Sequence, residues 1–381
     1  MRFLGIDLGT TNCSVAYAAD DDSPVNIFAV PQLIHPGETA AEPLLESALY
    51  LAQDGEFADG ALDLPWAAGR KEIAGRLAAR RGAETSGRLV TSAKSWLSAT
   101  GMDRTGAILP PNAPEGAPRV SPLYASRRYL EHLREAWNHV HPEHPLEGRG
   151  IVLTVPASFD AVARELTEQA AREAGYPPLV LLEEPQAAFY AWIERHDDWR
   201  ARIGKGDLIL VVDVGGGTTD FTLIAVTERD GALELERIAV GEHLLLGGDN
   251  MDLALAHSVA AQLAAQNKKL DAMQMNALWQ QCRLAKEKML GDGDSKEEKV
   301  TILGRGSSLI GGSLSGKLKR AEVETLLVDG FFPRCSSKDM PERRRRMGLI
   351  EAGLPYEPDA GITRHLARFL RQQASSTEHG A

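Results

Sequence analysis

Short apolar runs that end in glycine, proline or aspartate alternate along this chain with longer segments of helical periodicity. Residues 4–8 and 211–214 are apolar strand patterns, and each is followed by a glycine-rich turn and a second strand pattern. Between residues 123 and 139, Leu130 and Trp137 recur at helical spacing, which predicts a helix. The pattern therefore predicts strands and helices mixed along the chain.

The clearest alternation lies between residues 150 and 195. The apolar segments GIVLTVP and LVLLEEP predict two strands, and each precedes a segment with helical character. Asp160 is placed to cap the first helix and Gly175 to end it. One face of that helix is expected to carry the apolar side chains of Val162, Leu166 and Ala170. This order is typical of an α/β layer.

Two glycine turns that lie far apart in the chain share the same order of residue types. The segments LGIDLGTTN at 4–12 and VVDVGGGTTD at 211–220 each run from an apolar strand through aspartate and glycine to two threonines. Both turns then return to strand patterns, so each predicts a β-hairpin with few side chains at its tip. We interpret the pair as one structural motif that occurs once in each of two related lobes.

Such turns have a characteristic chemistry. Successive backbone N–H groups in a glycine-rich turn can bind phosphate, and the missing Cβ allows its close approach. Threonine hydroxyls add donors, and an aspartate at the strand end can hold Mg²⁺ through its waters. Two facing hairpins would clamp a polyphosphate from both sides. For either turn alone, the alternative is a flexible turn without function. A Rossmann site is disfavoured because its glycine motif opens a helix, whereas both turns here lead into strands.

Length and composition narrow the organisation and the partners. The 381 residues predict at least two domains, and the polar segment GKGD suggests lobes over 1–203 and 204–381, the first with a helical insertion around 40–120. A net charge of −11 argues against broad binding to nucleic acid or anionic membranes. Three widely spaced cysteines argue against a disulfide framework, so we expect a cytoplasmic protein. The histidines of NHVHPEH and the arginines at 343–346 are interpreted as surface features rather than metal or nucleic-acid sites.

Five segments together resemble a known family: GIDLGTTN, VVDVGGGTTD, LTVPASF, LLEEPQAAFYAW and LLLGGDNMD. Their order and spacing are similar to those of the seventy-kilodalton heat-shock family, the DnaK-type chaperones, from residue 1 to about 328. The resemblance implies an actin-like ATPase domain of a divergent, longer member. Its fold would be α/β with two lobes, each a mixed β-sheet flanked by helices. The implied cofactors are ATP/ADP and Mg²⁺.

The resemblance also implies roles for the residues that match the family's motifs. Asp7 and Asp213 would organise Mg²⁺ and its waters. The phosphates would lie among the residues of both turns and the start of a later helix, namely Gly9, Thr10, Thr11, Asn12, Gly215, Gly216, Gly217, Thr218, Gly247 and Gly248. The backbone donors and the dipole of that helix would face the β-phosphate.

The implied catalytic set is Lys94, Glu184, Asp213 and Asp220. Lys94 would hold the γ-phosphate and the attacking water, although a lysine on an Ala-rich helix is, taken alone, more often simply solvated. Glu184 would position water, and its alternative is a strand-end acid or helix cap. Asp220 would accept a hydrogen bond from water, and its alternative is a polar hairpin residue. Phosphoryl transfer to water needs positioning and charge neutralisation but no covalent nucleophile.

Two departures from the family's pattern concern adenosine. In CRLAKEK, Lys286 matches the pattern, but Arg283 stands where the family has an acid and Glu287 where it has an arginine. The contacts of Arg283 and Lys286 with ribose and base therefore stay open. After residue 328 the family's second glycine-rich strand motif is not found. We therefore expect the second lobe to be truncated before the adenosine motif, in a fragment of a longer protein that binds nucleotide weakly or not at all.

Three functions follow from these patterns. The leading one is the nucleotide-binding ATPase domain of a chaperone-like protein, with unfolded-protein clients or cochaperones bound through regions absent here. The second is a non-hydrolysing regulatory or scaffolding module that retains the fold. The third, a small-molecule kinase of the actin-like superfamily, is disfavoured by the VPASF and EEPQAA segments.

Overall fold

The computed structural model describes residues 3–20, 23–85, 87–99, 101–291, 293–304, 312–342 and 356–378. The strands are β1 (Phe3–Leu8), β2 (Asn12–Ala18), β3 (Asn26–Ile27), β4 (Val30–His35), β5 (Glu38–Glu42), β6 (Leu45–Glu46), β7 (Leu49–Leu51), β8 (Glu72–Ala74), β9 (Leu89–Val90), β10 (Gly150–Val155), β11 (Val180–Glu183), β12 (Leu208–Val214), β13 (Thr219–Arg229), β14 (Ala232–Val240), β15 (Glu297–Leu303) and β16 (Ser313–Lys319). The helices are α1 (Arg76–Glu84), α2 (Ala93–Ser98), α3 (Pro122–Val140), α4 (Ala161–Glu173), α5 (Glu184–Glu194), α6 (Trp199–Arg202), α7 (Gly248–Ala264), α8 (Ala272–Leu290), α9 (Arg320–Phe331) and α10 (Ile362–Glu378). The basic run at 343–346 lies outside the described residues.

The first sheet sets the N-terminal hairpin beside the strands of the α/β layer. Its order is β11-β10-β1-β2-β3, and β6 also pairs with β2. Strand β1 runs parallel to β10 and antiparallel to β2. Leu4 and Ile6 of β1 alternate toward a core that they share with Leu153 of β10 and with side chains of α3 and α4. Because β1, β10 and β11 are parallel, their carboxyl ends meet at one edge, which is where ligands bind in such sheets.

The second glycine turn belongs to another sheet, with the order β12-β13-β14. All its pairs are antiparallel, so the turn after β12 is a hairpin, as the sequence predicts. Helices α7, α8 and α9 and the hairpin β15–β16 pack in a second core, which includes Leu255, Leu278 and Val300. The protein thus has the expected α/β arrangement of sheets flanked by helices.

Helix α4 begins and ends as predicted, but its buried face differs. The Asp160 carboxylate accepts a hydrogen bond of 2.7 Å from the N–H of Ala163, and Gly175 follows the helix with a φ of 87°. Leu166 and Ala170 are buried, whereas Val162 is 52% exposed. The prediction for Val162 was wrong because the buried stripe runs through Ala163, one position further along the first turn.

Residues 40–120 contain short strands as well as helices α1 and α2. Strand β7 pairs with β8 and with β9, so this part of the chain forms a small sheet of its own. Within the described ranges, no helix combines the length and apolar character needed to cross a membrane.

Candidate functional site

The tips of the two glycine hairpins lie against each other. A Cβ added to Gly216 would lie 1.8 Å from Oγ1 of Thr11, and one added to Gly217 would lie 2.8 Å from Cγ2 of Thr10. Real Cβ atoms do not approach other atoms within 3.0 Å, so this contact requires glycine at both positions. The structure therefore brings the two turns together at one place, as their matching sequences predict.

The first turn is closed by its own backbone and by Ser47. A Cβ on Gly9 would lie 2.2 Å from the carbonyl oxygen of Asn12, so this position also has no room for a side chain. The Ser47 hydroxyl donates a 2.7 Å hydrogen bond to the carbonyl of Gly9, and its N–H donates to the carbonyl of Thr11 at 2.8 Å. Ser47 therefore holds both sides of the tip, a role that the sequence did not indicate.

The two predicted metal-binding aspartates end the first strand of each hairpin. Asp7 accepts a 2.8 Å hydrogen bond from the Thr154 hydroxyl of β10. Asp213 faces Asp220 across the pair β12–β13. The turn between them is closed by a 2.8 Å hydrogen bond from the N–H of Gly215 to the carbonyl of Thr218.

Helix α7 begins directly on the second hairpin. The N–H of Gly248 donates to the carbonyl of Gly215 at 3.0 Å, and the N–H of Asp249 donates to the carbonyl of Gly216 at 2.6 Å. A Cβ on Gly247 would lie 2.6 Å from the Gly215 carbonyl oxygen, so the contact depends on its missing side chain. The helix start thus lies against the second hairpin, but these donors bind protein carbonyls, so a phosphate would have to share or replace those bonds.

Lys94 and Glu184 form a largely buried ion pair beside the hairpins. Lys94 Nζ lies 2.5 Å from Glu184 Oε1, and the two side chains are 11% and 16% exposed. Lys94 belongs to α2 and Glu184 begins α5, directly after the parallel strand β11. The alternative of a solvated lysine at this position is therefore wrong.

The electrostatics of this cluster reflect an excess of acids. Burial alone would lower the pKa of the Lys94 ammonium, but Glu184 and then Asp7 raise it to about 12. Burial raises the pKa of Glu184, against the effect of Lys94, and Asp7 and Asp213 raise it further. Burial and then Asp220 raise the pKa of Asp213. Lys94, Glu184, Asp7 and Asp213 therefore sense one another across the two hairpins.

Asp220 takes part in a separate polar network. Its side chain accepts a short hydrogen bond from the Ser158 hydroxyl, and its Oδ1 lies 3.2 Å from Nδ1 of His243. Ser98, at the end of α2, lies 3.0 Å from the other ring nitrogen of His243. Asp220 is therefore held directly from two segments, and His243 connects it to a third, the end of α2.

Arg283 and Lys286, the candidate adenosine-binding residues, lie one turn apart on α8. Lys286 Nζ lies 2.7 Å from Oδ1 of Asp252 on α7 and donates to the Gly248 carbonyl at 3.4 Å. Arg283 Nε lies 3.1 Å from Oε1 of Glu287. Burial raises the pKa of Asp252 to about 6, although Lys286 opposes this. Both basic side chains thus neutralise acids of the same unit.

Several polar residues of the site were missed by the sequence analysis. Ser95 is 1% exposed, its hydroxyl has no hydrogen-bond partner among the described residues, and it lies 2.4 Å from the position of a Cβ on Gly217. Ser95 follows Lys94, Ser158 lies within VPASF, and His243 precedes LLLGGD. Adjacency to a motif was the one available signal, because serine and histidine are common on ordinary surfaces.

The candidate metal-binding carboxylates Asp7 and Asp213 belong to different hairpins. Over the described ranges, no group of three or more His, Cys, Asp or Glu side chains is arranged to hold a metal ion.

Known proteins match this chain over most of its length. The sequence model of the family described as Hsp70 protein matches residues 120–338. A chaperone protein HscA homolog of Pseudomonas aeruginosa is 31% identical over 351 residues, which cover 87% of this chain and 47% of the relative. The corresponding homolog of Bordetella pertussis is 31% identical over 324 residues, 85% of this chain and 46% of the relative. The homolog of Azotobacter vinelandii is 30% identical over 339 residues, with the same coverages of 85% and 46%.

The chain thus spans about half the length of the curated relatives that it matches. The mixed α/β architecture with paired glycine hairpins agrees with the actin-like ATPase fold of that family. Family match, relatives and architecture lead to one conclusion: this chain belongs to the Hsp70 family and corresponds to its nucleotide-binding domain.

Proposed function

We propose that this chain binds ATP and hydrolyses it to ADP and phosphate with Mg²⁺, as the ATPase domain of a chaperone-like protein. The observation that supports this most directly is the contact between the two glycine hairpins beside the Lys94–Glu184 pair. Backbone donors, hydroxyls, a buried cation and several carboxylates converge there. Phosphoryl transfer to water requires these components and no covalent nucleophile.

The phosphate-binding role falls to the turns. Gly9, Thr10, Thr11 and Asn12 of the first turn and Gly215 to Thr218 of the second would supply backbone donors and hydroxyls. The absence of Cβ atoms at Gly216 and Gly217 lets the first hairpin lie against the second, so that the backbone donors of both turns are brought to one place. Gly247 and Gly248 would add the N-terminus of α7 once its hydrogen bonds to the hairpin carbonyls are exchanged.

The residues present fit a hydrated Mg²⁺. The raised pKa values of Glu184 and Asp213 arise from burial together with neighbouring carboxylates, and a cation would relieve this repulsion. Asp7 and Asp213 would hold the metal through its waters. When bound, the metal supplies charge neutralisation of the phosphate oxygens.

The remaining steps belong to side chains of this chain. Lys94 would bind the γ-phosphate and hold the attacking water, and Glu184 would orient that water while keeping Lys94 in place. Asp220 would accept a hydrogen bond from water near the γ-phosphate. Arg283 and Lys286 would contact the adenosine from α8, at the expense of their present ion pairs with Glu287 and Asp252.

Phosphate release from Mg²⁺·ATP tests this function, with the Asp213→Asn variant as the probe. We expect turnover in the wild type and at least a tenfold loss in the variant, because the lost charge weakens metal binding. Asp329→Asn is the matched control, since Asp329 lies exposed on α9. Equal release by the wild type and Asp213→Asn would overturn the assignment.

A non-hydrolysing regulatory or scaffolding module is the second candidate. It is favoured by one observation: the first donors of α7 are bound to the carbonyls of Gly215 and Gly216. Its signature would be no phosphate release together with a thermal stability that Mg²⁺·ATP does not change. An ATP-dependent rise in Tm with turnover excludes it, because a ligand that binds the native state stabilises it.

The wider role is part of the same proposal. Unfolded-protein clients and cochaperones would bind a larger protein through regions beyond those described, in the cytoplasm. The net charge of −11 favours neither nucleic acid nor anionic membranes as a partner.

A further inference from the structure

His243 connects parts of the site that are distant in sequence. Its Nδ1 lies 2.7 Å from the Ser158 hydroxyl, in the loop after β10, and 3.2 Å from Oδ1 of Asp220 on β13. Its Nε2 lies 3.0 Å from the Ser98 hydroxyl, at the end of α2. The ring also makes an edge contact with Phe159, with centroids 5.9 Å apart. One imidazole thus bridges three segments, one of which carries Lys94.

Each serine hydroxyl that contacts the ring also bonds a second group. The Ser98 hydroxyl donates to the backbone carbonyl of Ser95 at 2.9 Å. The Ser158 hydroxyl donates to Asp220. Each ring nitrogen of His243 therefore lies against a hydroxyl that is itself held by another part of the site.

The charged groups that flank this network have partners of their own. Glu242, next to His243 in the chain, pairs with Arg368 of α10. Arg104, which donates to the Ser98 carbonyl, pairs with Asp160.

The consequence for Asp220 is geometric. Both contacts, from Ser158 and from His243, fall on Oδ1, so this oxygen of the carboxylate is held from two sides. Ser98 links the same ring to the short helix that carries Lys94. The two groups that would act on the γ-phosphate are therefore tied together through one side chain.

We propose that His243 is a positioning residue whose ring fixes Asp220 and couples it to the Lys94 helix. The catalytic part of this inference rests on the proposed ATPase function. The coupling between Ser98 and Asp220 through the ring does not, and it exists without nucleotide. This separation allows the two proposals to fail independently.

The first experiment observes the ring itself. The full chain labelled with ¹⁵N-histidine is compared with His243→Gln to assign the His243 signals at neutral pH. Ser98→Ala and Asp220→Asn should each shift the signals of the ring nitrogens, because each variant removes one contact of the ring. His257→Gln, which alters an exposed histidine of α7, should not shift them. Ring signals that neither Ser98→Ala nor Asp220→Asn shifts overturn the proposal.

The second experiment measures coupling without activity. The Tm changes of Ser98→Ala and Asp220→Asn are combined in a double-mutant cycle, in the wild type and in His243→Gln. We expect non-additive changes when His243 is present and additive changes when it is replaced. Additivity in both backgrounds overturns the link.

Turnover supplies the catalytic readout. In His243→Gln we expect kcat for Mg²⁺·ATP to fall about tenfold to a hundredfold while KM changes about twofold, because a misplaced group acts on the reacting step. His243→Asn, which keeps a donor near the Nδ1 position, should recover part of the loss. A rise in KM without a change in kcat would show that His243 has only a structural role. The same conclusion would follow if both variants lost kcat equally and their Tm fell by the same amount. The proposed function fails if the wild type has no turnover, or if Asp213→Asn does not reduce it. In that case the ring signals and the double-mutant cycle still decide whether His243 positions Asp220.

Discussion

Gly216 and Thr11 lie in direct contact, although one belongs to the hairpin β12–β13 and the other to the hairpin β1–β2. A Cβ on Gly216 would lie 1.8 Å from Oγ1 of Thr11 and 3.0 Å from its Cβ. The glycine therefore serves the contact between the two tips as well as any ligand. This contact limits how closely the tips of the two hairpins can approach each other.

Replacement of Gly216 tests this contact between the two hairpin tips. Gly216→Ala should lower the free energy of unfolding by about 1–3 kcal/mol, because the new methyl group overlaps the Thr11 side chain. Gly215→Ala is the matched control, since its Cβ would meet no atom closer than 3.4 Å. Urea unfolding measures both. Thr11→Ala combined with Gly216→Ala should restore part of the loss, and a Gly216→Ala variant as stable as Gly215→Ala would contradict the contact.

Removal of the Lys94 charge should be costly. Lys94→Met leaves Glu184 buried next to Asp7 and Asp213, and breaking a buried ion pair from one side costs about 3–5 kcal/mol. The exposed Lys299 supplies the control variant Lys299→Met. In the double variant Lys94→Met/Glu184→Gln the unpaired charge is gone, so stability should partly return. A double variant less stable than Lys94→Met would argue against the ion pair.

Ser47 should stabilise the first turn. Ser47→Ala removes the hydrogen bond to the partly buried Gly9 carbonyl, and the loss of one such bond costs about 1 kcal/mol. Ser23→Ala is the control, because the Ser23 hydroxyl bonds Asp20 at an exposed site. Thermal unfolding measures the difference. Equal Tm values for the two variants would show that the turn does not depend on Ser47.

The pH dependence of stability should carry a signature of Asp252. Burial raises its pKa from 3.8 to about 6, so between these values the folded protein binds a proton that the unfolded chain has released. Stability from this group is complete below about pH 4 and is lost as the pH rises to about 6, by up to about 3 kcal/mol. Asp252→Asn should remove this slope from urea unfolding measured across that range.

Asp359 provides a control of opposite sign. Hydrogen bonds from Arg364 and from backbone N–H groups outweigh burial and lower its pKa to about 2. Its contribution is complete above about pH 4 and is lost as the pH falls toward 2. Asp359→Asn should therefore leave the slope between pH 4 and 6 unchanged. If Asp252→Asn also leaves that slope unchanged, the Asp252 assignment is wrong.

Local features of the sequence were sufficient to predict much of the architecture. The two hairpins are predicted by apolar strands that are interrupted by glycine. The N-cap of α4 is predicted by Asp160, whose side chain accepts a hydrogen bond from the N–H three residues further along the chain. These signals are short-range, because turn and cap geometry depends on neighbouring residues. The face of α4 was harder to predict, since the first-turn position Val162 depends on where the core lies.

The sequence by itself determined that two bare turns of matching type exist and which family they resemble. The tertiary structure alone decided what touches them. Ser95 beside Gly217, Ser158 and His243 around Asp220, and the carbonyls that bind the start of α7 come from segments far apart in the chain. Such contacts depend on the packing of sheets and helices, and no local pattern of residue types encodes them.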